Sequence, residues 1–385
     1  MNKVIVVDAG FVCHKSIFAK NAELLRHLKT LLQKHYGVSI KEATPAQKTE
    51  CIKKVRNLLY TNKIFARSDY NYVNFIFSYL KKIGTDKSDI IIVAKEGRTS
   101  FRKAFLLDYK GNRQKLKDST FLIDWTAEYK EINDVEEKLD ESTNWHFVQL
   151  DRVFNFADLC LTKQGKDLKI EDYDLDYSKE FGLESDDVQA VICKYFPNKE
   201  VVLITIDEDL SQLCYFNNVK IFNPNLKSTT NKAKKGFYEV VEAPLKIISK
   251  KVRSGDVSDN ILVDKKKDTI RDVEVRQFII DLINLPDWLE NPITNALDNL
   301  NWDKEMCYEK LPFQNSLAQE FDKIYETNNI RTMKESIVRH CLKEMKTIEK
   351  RSKKTKEQLY EKNANYKKFK DEFDKHKKQK VKQNV

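Results

Sequence analysis

Three acidic residues lie within four positions of one short stretch of this 385-residue sequence. The stretch, LESDDVQAV (183–191), carries Glu184, Asp186 and Asp187 directly before an apolar run. If it opens a helix, Glu184 and Asp187 share one face and Asp186 points to its side, because residues three apart are neighbours on a helix. One turn could then supply carboxylates to two metal ions, although acids in a first helical turn also simply complement the helix dipole.

More acids follow three apolar runs that are rich in valine and isoleucine. The runs VIVV (4–7), IIIV (90–93) and VVLITI (201–206) are separated by helix-compatible sequence, which predicts buried parallel strands of an open α/β sheet. Such sheets bind ligands at the carboxyl ends of their strands. The residues that follow the runs are Asp8, Lys95, Glu96, Asp207 and Asp209.

The segment SGDVSDN (254–260) adds two acids, and together the acids form a candidate metal site. If they converge, they require cations, because like charges a few ångströms apart raise one another's pKa. Oxygen ligands without His or Cys favour Mg²⁺ or Mn²⁺, and two such ions about 4 Å apart serve in-line displacement at phosphate. The candidate ligands are Asp8, Glu96, Glu184, Asp186, Asp187, Asp207, Asp209, Asp256 and Asp259. Taken singly, IDED (206–209) is also typical of a polar βα loop and SGDVSDN of a helix cap.

A basic segment, FRKAFLLDYKGNRQK (101–115), could contact the substrate of such a site. Its residues Arg102, Lys110 and Arg113 are spaced by eight and three positions, which predicts one helical face, and Tyr109 lies beside them. Cations next to an aromatic ring suit a nucleic-acid phosphate and a stacked base, whereas the alternative is a solvated helix. Further candidate nucleic-acid contacts are Lys103 and Lys15.

Cysteine usage and hydropathy limit the class of protein. The seven cysteines are scattered without a C-x-x-C pair and there are only six histidines, so neither a disulfide framework nor a zinc site is indicated. No apolar run approaches the roughly 20 residues of a membrane span. We therefore expect a soluble, cytoplasmic protein with no membrane partner.

The chain divides into three predicted parts. Residues 1–245 form the α/β domain, in which 147–181 is read as an acidic, irregular insertion. Residues 246–345 alternate helical apolar stripes with charge and predict a helical domain. The tail 346–385 is basic: residues 341–385 carry 16 Lys and Arg against 7 Asp and Glu, or +9 of the total +10. Such a tail either binds phosphates or keeps the chain in solution.

Five blocks in this order resemble the bacteriophage 5′-nucleases, a family of flap endonucleases, 5′-3′ exonucleases and phage RNase H proteins in the PIN-like superfamily. The blocks are VIVVDAG, FRKAFLLDYKGNR, GLESDDVQA, LITIDEDLSQL and SGDVSDN, and the resemblance covers roughly residues 1–20, 70–120 and 180–262. It implies a mainly parallel sheet with helices on both faces and a helical arch near 101–145. It also implies that 246–345 is a DNA-binding domain related to the helix-3-turn-helix region.

The resemblance also implies roles for individual residues in a two-metal phosphodiesterase. The implied ligands of the first ion are Asp8, Glu184 and Asp186. The implied direct or water-mediated ligands of the second ion are Asp187, Asp207, Asp209, Asp256 and Asp259. Lys110, Arg102 and Arg113 would stabilise charge on the scissile phosphate, and Tyr109 would stack on a base.

Two positions depart from the family pattern. Lys95 stands where the family has an aspartate ligand, so either Glu96 replaces that ligand or Lys95 occupies its space as a permanent cation. After Asn260 the chain reads ILVDKKKD, without the glycine-rich turn by which most members grip duplex phosphates. The residues Lys265, Lys266 and Lys267 either contact the duplex backbone instead or face solvent.

The leading hypothesis is a Mg²⁺- or Mn²⁺-dependent 5′-nuclease that uses two ions and removes RNA primers or 5′ flaps during DNA replication. Its implied partners are flapped, branched or nicked DNA, an RNA–DNA hybrid, and a replication clamp or single-strand-binding protein, and we expect a monomer in the cytoplasm, of the host cell if the protein is viral. The alternative is a catalytically weak protein that binds branched nucleic acid, for which Lys95 is the support. A third hypothesis, a ribonuclease of the related single-domain kind, ranks last because a long helical region follows the last acid.

Overall fold

The centre of the fold is a six-stranded sheet with the strand order β3-β2-β1-β6-β7-β8. Its strands are β1 (Val4–Asp8), β2 (Ile90–Ala94), β3 (Trp145–Val148), β6 (Val201–Ile204), β7 (Val219–Phe222) and β8 (Phe237–Tyr238). The strands β4 (Phe154–Asn155) and β5 (Glu180–Phe181) form a separate two-stranded sheet. The first five strands of that order pair in parallel, and β8 is antiparallel to β7. This confirms the predicted α/β fold with a mainly parallel sheet.

The computed structural model describes residues 3–61, 66–86, 88–106, 108–111, 113, 117, 120–167, 169, 171, 176–226, 236–238, 243–264 and 268–305. All of them belong to one compact unit, Met1–Pro312 with Lys323–Glu326. The predicted basic tail, the last part of the predicted helical domain and Lys265, Lys266 and Lys267 lie outside the described residues.

Eleven α-helices and one 3₁₀ helix surround the sheet within the described ranges. The α-helices are α1 (Ala9–Tyr36), α2 (Pro45–Tyr60), α3 (Ser68–Ile83), α4 (Arg102–Phe105), α5 (Trp125–Ser142), α6 (Phe156–Leu161), α7 (Lys163–Asp167), α8 (Ser185–Tyr195), α9 (Pro244–Ser254), α10 (Ile270–Ile280) and α11 (Asp287–Asp298). The 3₁₀ helix spans Asp209–Tyr215. Of the helices in these ranges, none is long and apolar enough to cross a membrane.

Both faces of the sheet are buried, as the unbroken apolar runs predict. Val4 and Val6 of β1 belong to one hydrophobic core together with residues of α8 to α11. Ile5 and Val7 are equally buried and point to the opposite face, because successive side chains of a strand alternate between faces. Among the N-terminal helices, α1 packs against α2 and α3, and α3 packs against α5.

A second, smaller core lies where the far half of α1 meets α2. It contains Leu24, Leu28 and Leu32 of α1 with Cys51 and Val55 of α2. The turn between these helices begins at Gly37, whose φ of 67° is the left-handed conformation that glycine adopts most readily. A capping box at Thr44 then starts α2.

The described C-terminal helices pack against the α/β core. α9 contacts the 3₁₀ helix and α10, and α11 contacts α8. Aromatic side chains pack between these helices and the α/β core: the ring centroid of Phe101 lies 5.8 Å from that of Phe278 in α10 and 5.6 Å from that of Trp288 in α11. The predicted domain boundary after residue 245 stays a prediction, as does the helical arch near 101–145.

The segment 147–181, predicted to be an irregular insertion, carries short regular elements. It begins in β3, continues through β4, α6 and α7, and ends in β5, which pairs with β4 in antiparallel orientation. The elements are short, and β4 and β5 span two residues each. Runs of that length leave too little periodicity in a sequence to be recognised.

Candidate active site

The site begins with Asp8 at the carboxyl end of β1, the strand between β2 and β6. Its Oδ1 accepts a hydrogen bond of 3.2 Å from the Phe11 backbone N–H and so caps α1, while its Oδ2 accepts one of 3.0 Å from Thr205 Oγ1 after β6. The pKa of Asp8 is raised to about 6, mainly by burial and in part by the nearby carboxylates of Asp207 and Glu96, while the hydrogen bonds from Phe11 and Thr205 oppose the rise. Asp8 therefore lies in a buried position where negative charge is disfavoured.

The three acids of the ESDD stretch separate into different roles. Asp187 is fully buried, and its two oxygens accept hydrogen bonds of 2.9 and 2.6 Å from Arg102 Nη1 and Nη2. The same carboxylate accepts a hydrogen bond of 3.0 Å from the Glu184 backbone N–H at the start of α8. Both oxygens of Asp187 are thus occupied by protein donors, and its role as a direct or water-mediated ligand of the second ion stays a prediction.

Arg102 also lies elsewhere than its predicted role requires. Only 2% of its surface is exposed, and its Nε donates to the Ile279 carbonyl at 3.1 Å. The reason is local: α4 ends at Phe105, and Lys110 adopts a left-handed φ of 56°, so no continuous helix joins Arg102 to Lys110. Arg102 is therefore placed to support Asp187 and Glu184 from the protein interior and has no surface for a phosphate.

Glu184 is buried among hydrogen-bond donors. Its Oε2 lies 2.8 Å from Lys110 Nζ, 3.0 Å from the Tyr109 hydroxyl and 3.3 Å from Arg102 Nη1. Burial by itself would raise the pKa of Glu184, but Lys110 and Arg102 outweigh burial and lower it to about 2. Glu184 is accordingly held as a carboxylate.

Tyr109 sits inside the acid cluster and does not present its ring to solvent. The residue is 3% exposed, and its hydroxyl lies 3.0 Å from Glu184 Oε2 and 3.2 Å from Asp259 Oδ2. A phenol has one proton, so it donates to one of these carboxylates at a time. This placement does not match the predicted base-stacking role, which needs an exposed ring face.

The two residues after β2 point into different networks. Lys95 Nζ forms an ion pair of 2.7 Å with Glu136 of α5, whose carboxylate also accepts a hydrogen bond from the Tyr72 hydroxyl. Glu96 instead reaches the acid cluster, where its Oε1 lies 3.5 Å from Lys110 Nζ and its Oε2 accepts a hydrogen bond of 3.4 Å from the Ser185 N–H. Glu96 thus lies with the acids and Lys95 does not, and the replacement of a metal ligand by Glu96 stays a prediction.

We call Asp8, Asp186 and Asp207 the unpaired acids, because no Lys or Arg forms an ion pair with them within the described ranges. Asp207 accepts a hydrogen bond of 2.9 Å from the Asp209 N–H, and Asp186 lies 3.4 Å from Ser185 Oγ. Burial raises the pKa of Asp186 and of Asp207. The carboxylates of Asp207 and Asp8 raise the pKa of Asp186 further, against Lys110. For Asp207 the charges of Lys251, Lys110 and Arg113 oppose burial, although none of them forms an ion pair with it. The unpaired acids are therefore close enough to repel one another.

We call Glu184, Asp187, Asp209 and Asp256 the paired acids, because a basic nitrogen lies 2.8 Å or less from each, whereas Glu96 and Asp259 lie 3.5 Å from Lys110 and Arg113. Lys251, in the last turn of α9, lies with its Nζ 2.5 Å from Asp256 Oδ2 and also contacts Asp209 Oδ1. Burial alone would raise the pKa of Asp256, but its hydrogen bonds to Lys251 and Ser258 lower it. The ammonium group of Lys251 thus lies between two acids that were predicted to hold the second ion.

Asp259 and the loop around it connect the basic segment to the acids. The Lys110 N–H donates to the Asp259 carbonyl at 2.9 Å, and Asn260 Nδ2 donates to the Asp108 carbonyl at 2.9 Å. Arg113 approaches the Asp259 carboxylate at 3.5 Å and remains 44% exposed at its side chain. Among the predicted phosphate contacts, Arg113 has the most accessible guanidinium group.

The other predicted nucleic-acid contacts lie outside this cluster. Lys15 Nζ donates to Asn225 Oδ1 at 3.0 Å and lies 5.2 to 5.4 Å from the ring centroids of Phe11, Phe75 and Tyr79. Lys103 is exposed on α4. The structure therefore brings Lys110 and Arg113 to the acids and leaves Lys15 in a cation–π contact elsewhere.

Sequence reasoning missed Lys251, Thr205 and Glu136, each of which contacts a site residue or its neighbour. A signal existed for Lys251 alone, since a basic residue in the last turn of a helix that runs into SGD is favourably placed near the helix C-terminus. Thr205 and Glu136 carry no such pattern, because their contacts are made across the sheet or from a distant helix.

The donor set fits hard cations, although the acids are not gathered around one point. Carboxylate oxygens without His or Cys are the ligands that Mg²⁺ and Mn²⁺ prefer. Among the described residues, however, no three Asp, Glu, His or Cys side chains lie close enough together to hold a metal ion. Metal binding would therefore require side-chain movement of the unpaired acids.

Comparison with protein-family models gave no match, and comparison with curated proteins gave none either. Among solved structures, a T5 protein co-crystallized with metal ions is 16% identical to this chain, with a TM-score of 0.38 over 88% of this chain and 98% of that chain. T5 5′-exonuclease with bound zinc ions is 15% identical, with a TM-score of 0.34 over 87% and 98%. A lysine-to-alanine mutant of T5 5′-exonuclease is 14% identical, with a TM-score of 0.30 over 88% and 99%.

Proposed function

We propose that this chain is a divalent-metal-dependent 5′-nuclease that hydrolyses phosphodiesters near junctions between single-stranded and duplex nucleic acid. The observation that carries the proposal is the set of unpaired acids, Asp8, Asp186 and Asp207. They lie at the carboxyl ends of neighbouring parallel strands and at the start of α8, no Lys or Arg forms an ion pair with them within the described chain, and Asp207 raises the pKa of both Asp8 and Asp186. Carboxylates whose pKa is raised in this way are stabilised by a bound cation.

The unpaired acids would hold Mg²⁺ or Mn²⁺, with Glu96 and the Glu184 carboxylate beside them. A bound ion of this kind supplies an activated water and stabilises charge that develops on the phosphate. The proposal includes two ions. The second would share Asp207 with the first and bind at Asp209, Asp256 and Asp259, where it competes with the ammonium group of Lys251 for two of the acids.

Some of the basic side chains near the acids position the acids, and another is available to contact the substrate. Arg102 and Asp187 form a buried ion pair that positions the start of α8, and with it Glu184 and Asp186. Lys110 fixes Glu184 and lies next to Glu96, so it places positive charge at the edge of the acid cluster. Arg113 is exposed enough to contact a strand phosphate directly, as an arginine does through paired N–H donors.

The substrate and partners are proposed from the order of the five motif blocks. Flapped, branched or nicked DNA and RNA–DNA hybrids are the proposed substrates, and replication the proposed setting, as the resemblance to bacteriophage 5′-nucleases implies. A replication clamp or single-strand-binding protein is a further proposed partner, a monomer is the proposed state, and the cytoplasm is the proposed location.

A second candidate function follows from a different observation. The described acids do not gather within metal-binding distance, and Lys251 and Lys110 lie between acids that would otherwise bind ions. These placements favour a protein that binds branched nucleic acid and hydrolyses it weakly or not at all.

The test is cleavage of three 5′-labelled substrates, a flap, a blunt duplex and an RNA-primed duplex, in Mg²⁺, Mn²⁺ or EDTA. The wild type is compared with Asp207→Asn and with Glu208→Gln, which changes the exposed acid next to it. The proposal expects metal-dependent cutting near the junction that is lost in Asp207→Asn and retained in Glu208→Gln. Tight binding of the substrates without any cutting by the wild type would instead favour the second candidate function.

A further inference from the structure

A cleft of about 390 Å³ is lined by residues that neighbour Glu96 and Glu184 in the sequence. Its lining residues are Arg98, Thr99, Arg152, Glu180 and Gly182. Two of the five carry guanidinium groups, and four of the five lie within four residues of Glu96 or Glu184 in the sequence. The cleft is therefore a candidate for binding an anion close to the proposed reaction.

Three backbone segments cross at the base of this cleft and fix its shape. The Gly97 N–H donates to the Leu183 carbonyl at 2.8 Å, the Gly182 N–H to the Thr99 carbonyl at 2.7 Å, and the Leu183 N–H to the Leu150 carbonyl at 2.9 Å. A Cβ atom at Gly97 would lie 2.7 Å from one of these carbonyl oxygens, and one at Gly182 2.6 Å from another. Glycine is required at both positions for the segments to approach so closely.

The two arginines are exposed and held by few contacts. The side chains of Arg98 and Arg152 are 78% and 70% exposed. Within the described chain, each meets one carboxylate, Arg98 at 3.3 Å from Asp151 and Arg152 at 3.6 Å from Glu180. A guanidinium has five N–H donors, so most of the donors of both residues remain available to a ligand. Exposed ion pairs of this kind exchange one anion for another at little cost.

The cleft lies within a short distance of the acids along the chain. Arg98 follows Glu96 by two residues, and Gly182 precedes Glu184 by two residues. Two residues span at most about 7 Å of extended chain. A nucleic-acid strand with one phosphate at the acids can therefore place a neighbouring phosphate at the cleft.

We propose that Arg98 and Arg152 bind a backbone phosphate of the same strand that is cut, within about two nucleotides of the scissile phosphate. This inference rests on the proposed function, which puts the strand at the acids. Arginine suits the task because its planar fork of donors matches phosphate oxygens in pairs. Asp151 and Glu180 form ion pairs with the two side chains at the rim of the cleft, and the phosphate would replace these carboxylates.

The experiment measures binding of a labelled flap strand in EDTA, with one phosphate at a time replaced by a neutral methylphosphonate. We compare the wild type with the double variant Arg98→Ala/Arg152→Ala. The matched control is Arg26→Ala, which removes a comparably exposed arginine with one acidic partner on α1. Unchanged thermal unfolding of the variants shows that they are folded.

The wild type and Arg26→Ala should lose affinity about tenfold when the phosphate next to the cleavage site is neutralised, as expected for a charge-assisted contact. The double variant should be insensitive at that position and retain its sensitivity elsewhere. Identical position profiles for the wild type and the double variant would overturn the inference.

The outcome separates this inference from the proposed function. If the wild type cuts the flap but shows the same profile as the double variant, the inference fails and the nuclease stands. If the position-specific loss is present but no metal restores cutting, the cleft binds phosphate as inferred and the proposal of hydrolysis fails.

Discussion

The paired acids and the unpaired acids lie at the same edge of the sheet, yet their pKa values respond to burial differently. Glu184 is buried, but Lys110 and Arg102 outweigh burial and lower its pKa. Asp8 is buried without a basic partner in the described chain, and its pKa rises to about 6. A cluster of acids is therefore not by itself a metal site. Basic side chains from other elements form ion pairs with some of the acids, which then stabilise the fold. The acids without such an ion pair remain available to bind a cation.

The largest expected effect is on catalysis by an unpaired acid. Asp186→Asn should lower the single-turnover cleavage rate by about 10³-fold, because the substitution removes a carboxylate proposed to hold the metal ion. Binding of the flap in EDTA should stay nearly unchanged. The control is Asp287→Asn, since Asp287 is also an acid in a first helical turn, that of α11. Equal rates for both variants would show that Asp186 only complements the helix dipole.

The next effect is on stability and concerns a paired acid. Arg102→Met should lower the free energy of unfolding by at least about 3 kcal/mol, because it leaves the fully buried Asp187 carboxylate without its partner. Urea denaturation measures the change. The double variant Arg102→Met/Asp187→Leu should recover part of the loss, since it removes both charges. A single variant as stable as the wild type would mean that the pair does not support α8.

An unpaired acid should show the opposite behaviour in stability. In EDTA, Asp8→Asn should raise the free energy of unfolding by about 2 kcal/mol at about pH 8 and by almost nothing below about pH 4. The sign follows from the raised pKa: the folded state holds the proton up to about pH 6, whereas the unfolded chain releases it near 3.8, so ionised Asp8 penalises folding above these values.

Thermal and urea unfolding across this pH range measure the effect of Asp8→Asn. The control is Asp124→Asn, which changes the exposed N-cap of α5. Asparagine still caps α1, so the cap does not confound the comparison. A gain in stability that is equal at both ends of the pH range would exclude charge repulsion as its cause.

The smallest expected effect is on Mn²⁺ binding, when two paired acids lose their basic partner. Lys251→Met removes the ammonium group between Asp209 and Asp256, so the half-saturating Mn²⁺ concentration at the second site should fall about tenfold, or about 1.4 kcal/mol. Mn²⁺ titration without nucleic acid measures this directly. Lys250→Met on the exposed side of the same helix is the control. If the two variants bind Mn²⁺ alike, Lys251 does not compete with an ion.

The sequence predicted the central strands because they are unbroken β-branched runs, but it did not predict β3, β7 or β8. β3 and β7 are four residues long and include His146 and Lys220, which interrupt the apolar pattern. The acids at the strand ends were predictable for the same reason, since the topology of parallel sheets brings those ends together.

The partners of the acids were less predictable. Lys251 reaches Asp209 from α9, and Ile279 of α10 accepts a hydrogen bond from Arg102, so both contacts depend on tertiary packing across long stretches of chain. The spacing of Arg102 and Lys110 predicted a shared helical face, but α4 ends at Phe105. Local periodicity carries no information about which side chain meets an acid from another element.

The most direct test of the central claim compares two acids two residues apart in the same loop. Mn²⁺ binding is titrated, without nucleic acid, for the wild type, for Asp207→Asn and for Asp209→Asn. Asp207 is unpaired and Asp209 contacts Lys251, so we predict that Asp207→Asn abolishes the tightest Mn²⁺ binding and that Asp209→Asn retains it. An equal loss in both variants, or unchanged binding in Asp207→Asn, would contradict the division of the acids into paired and unpaired sets.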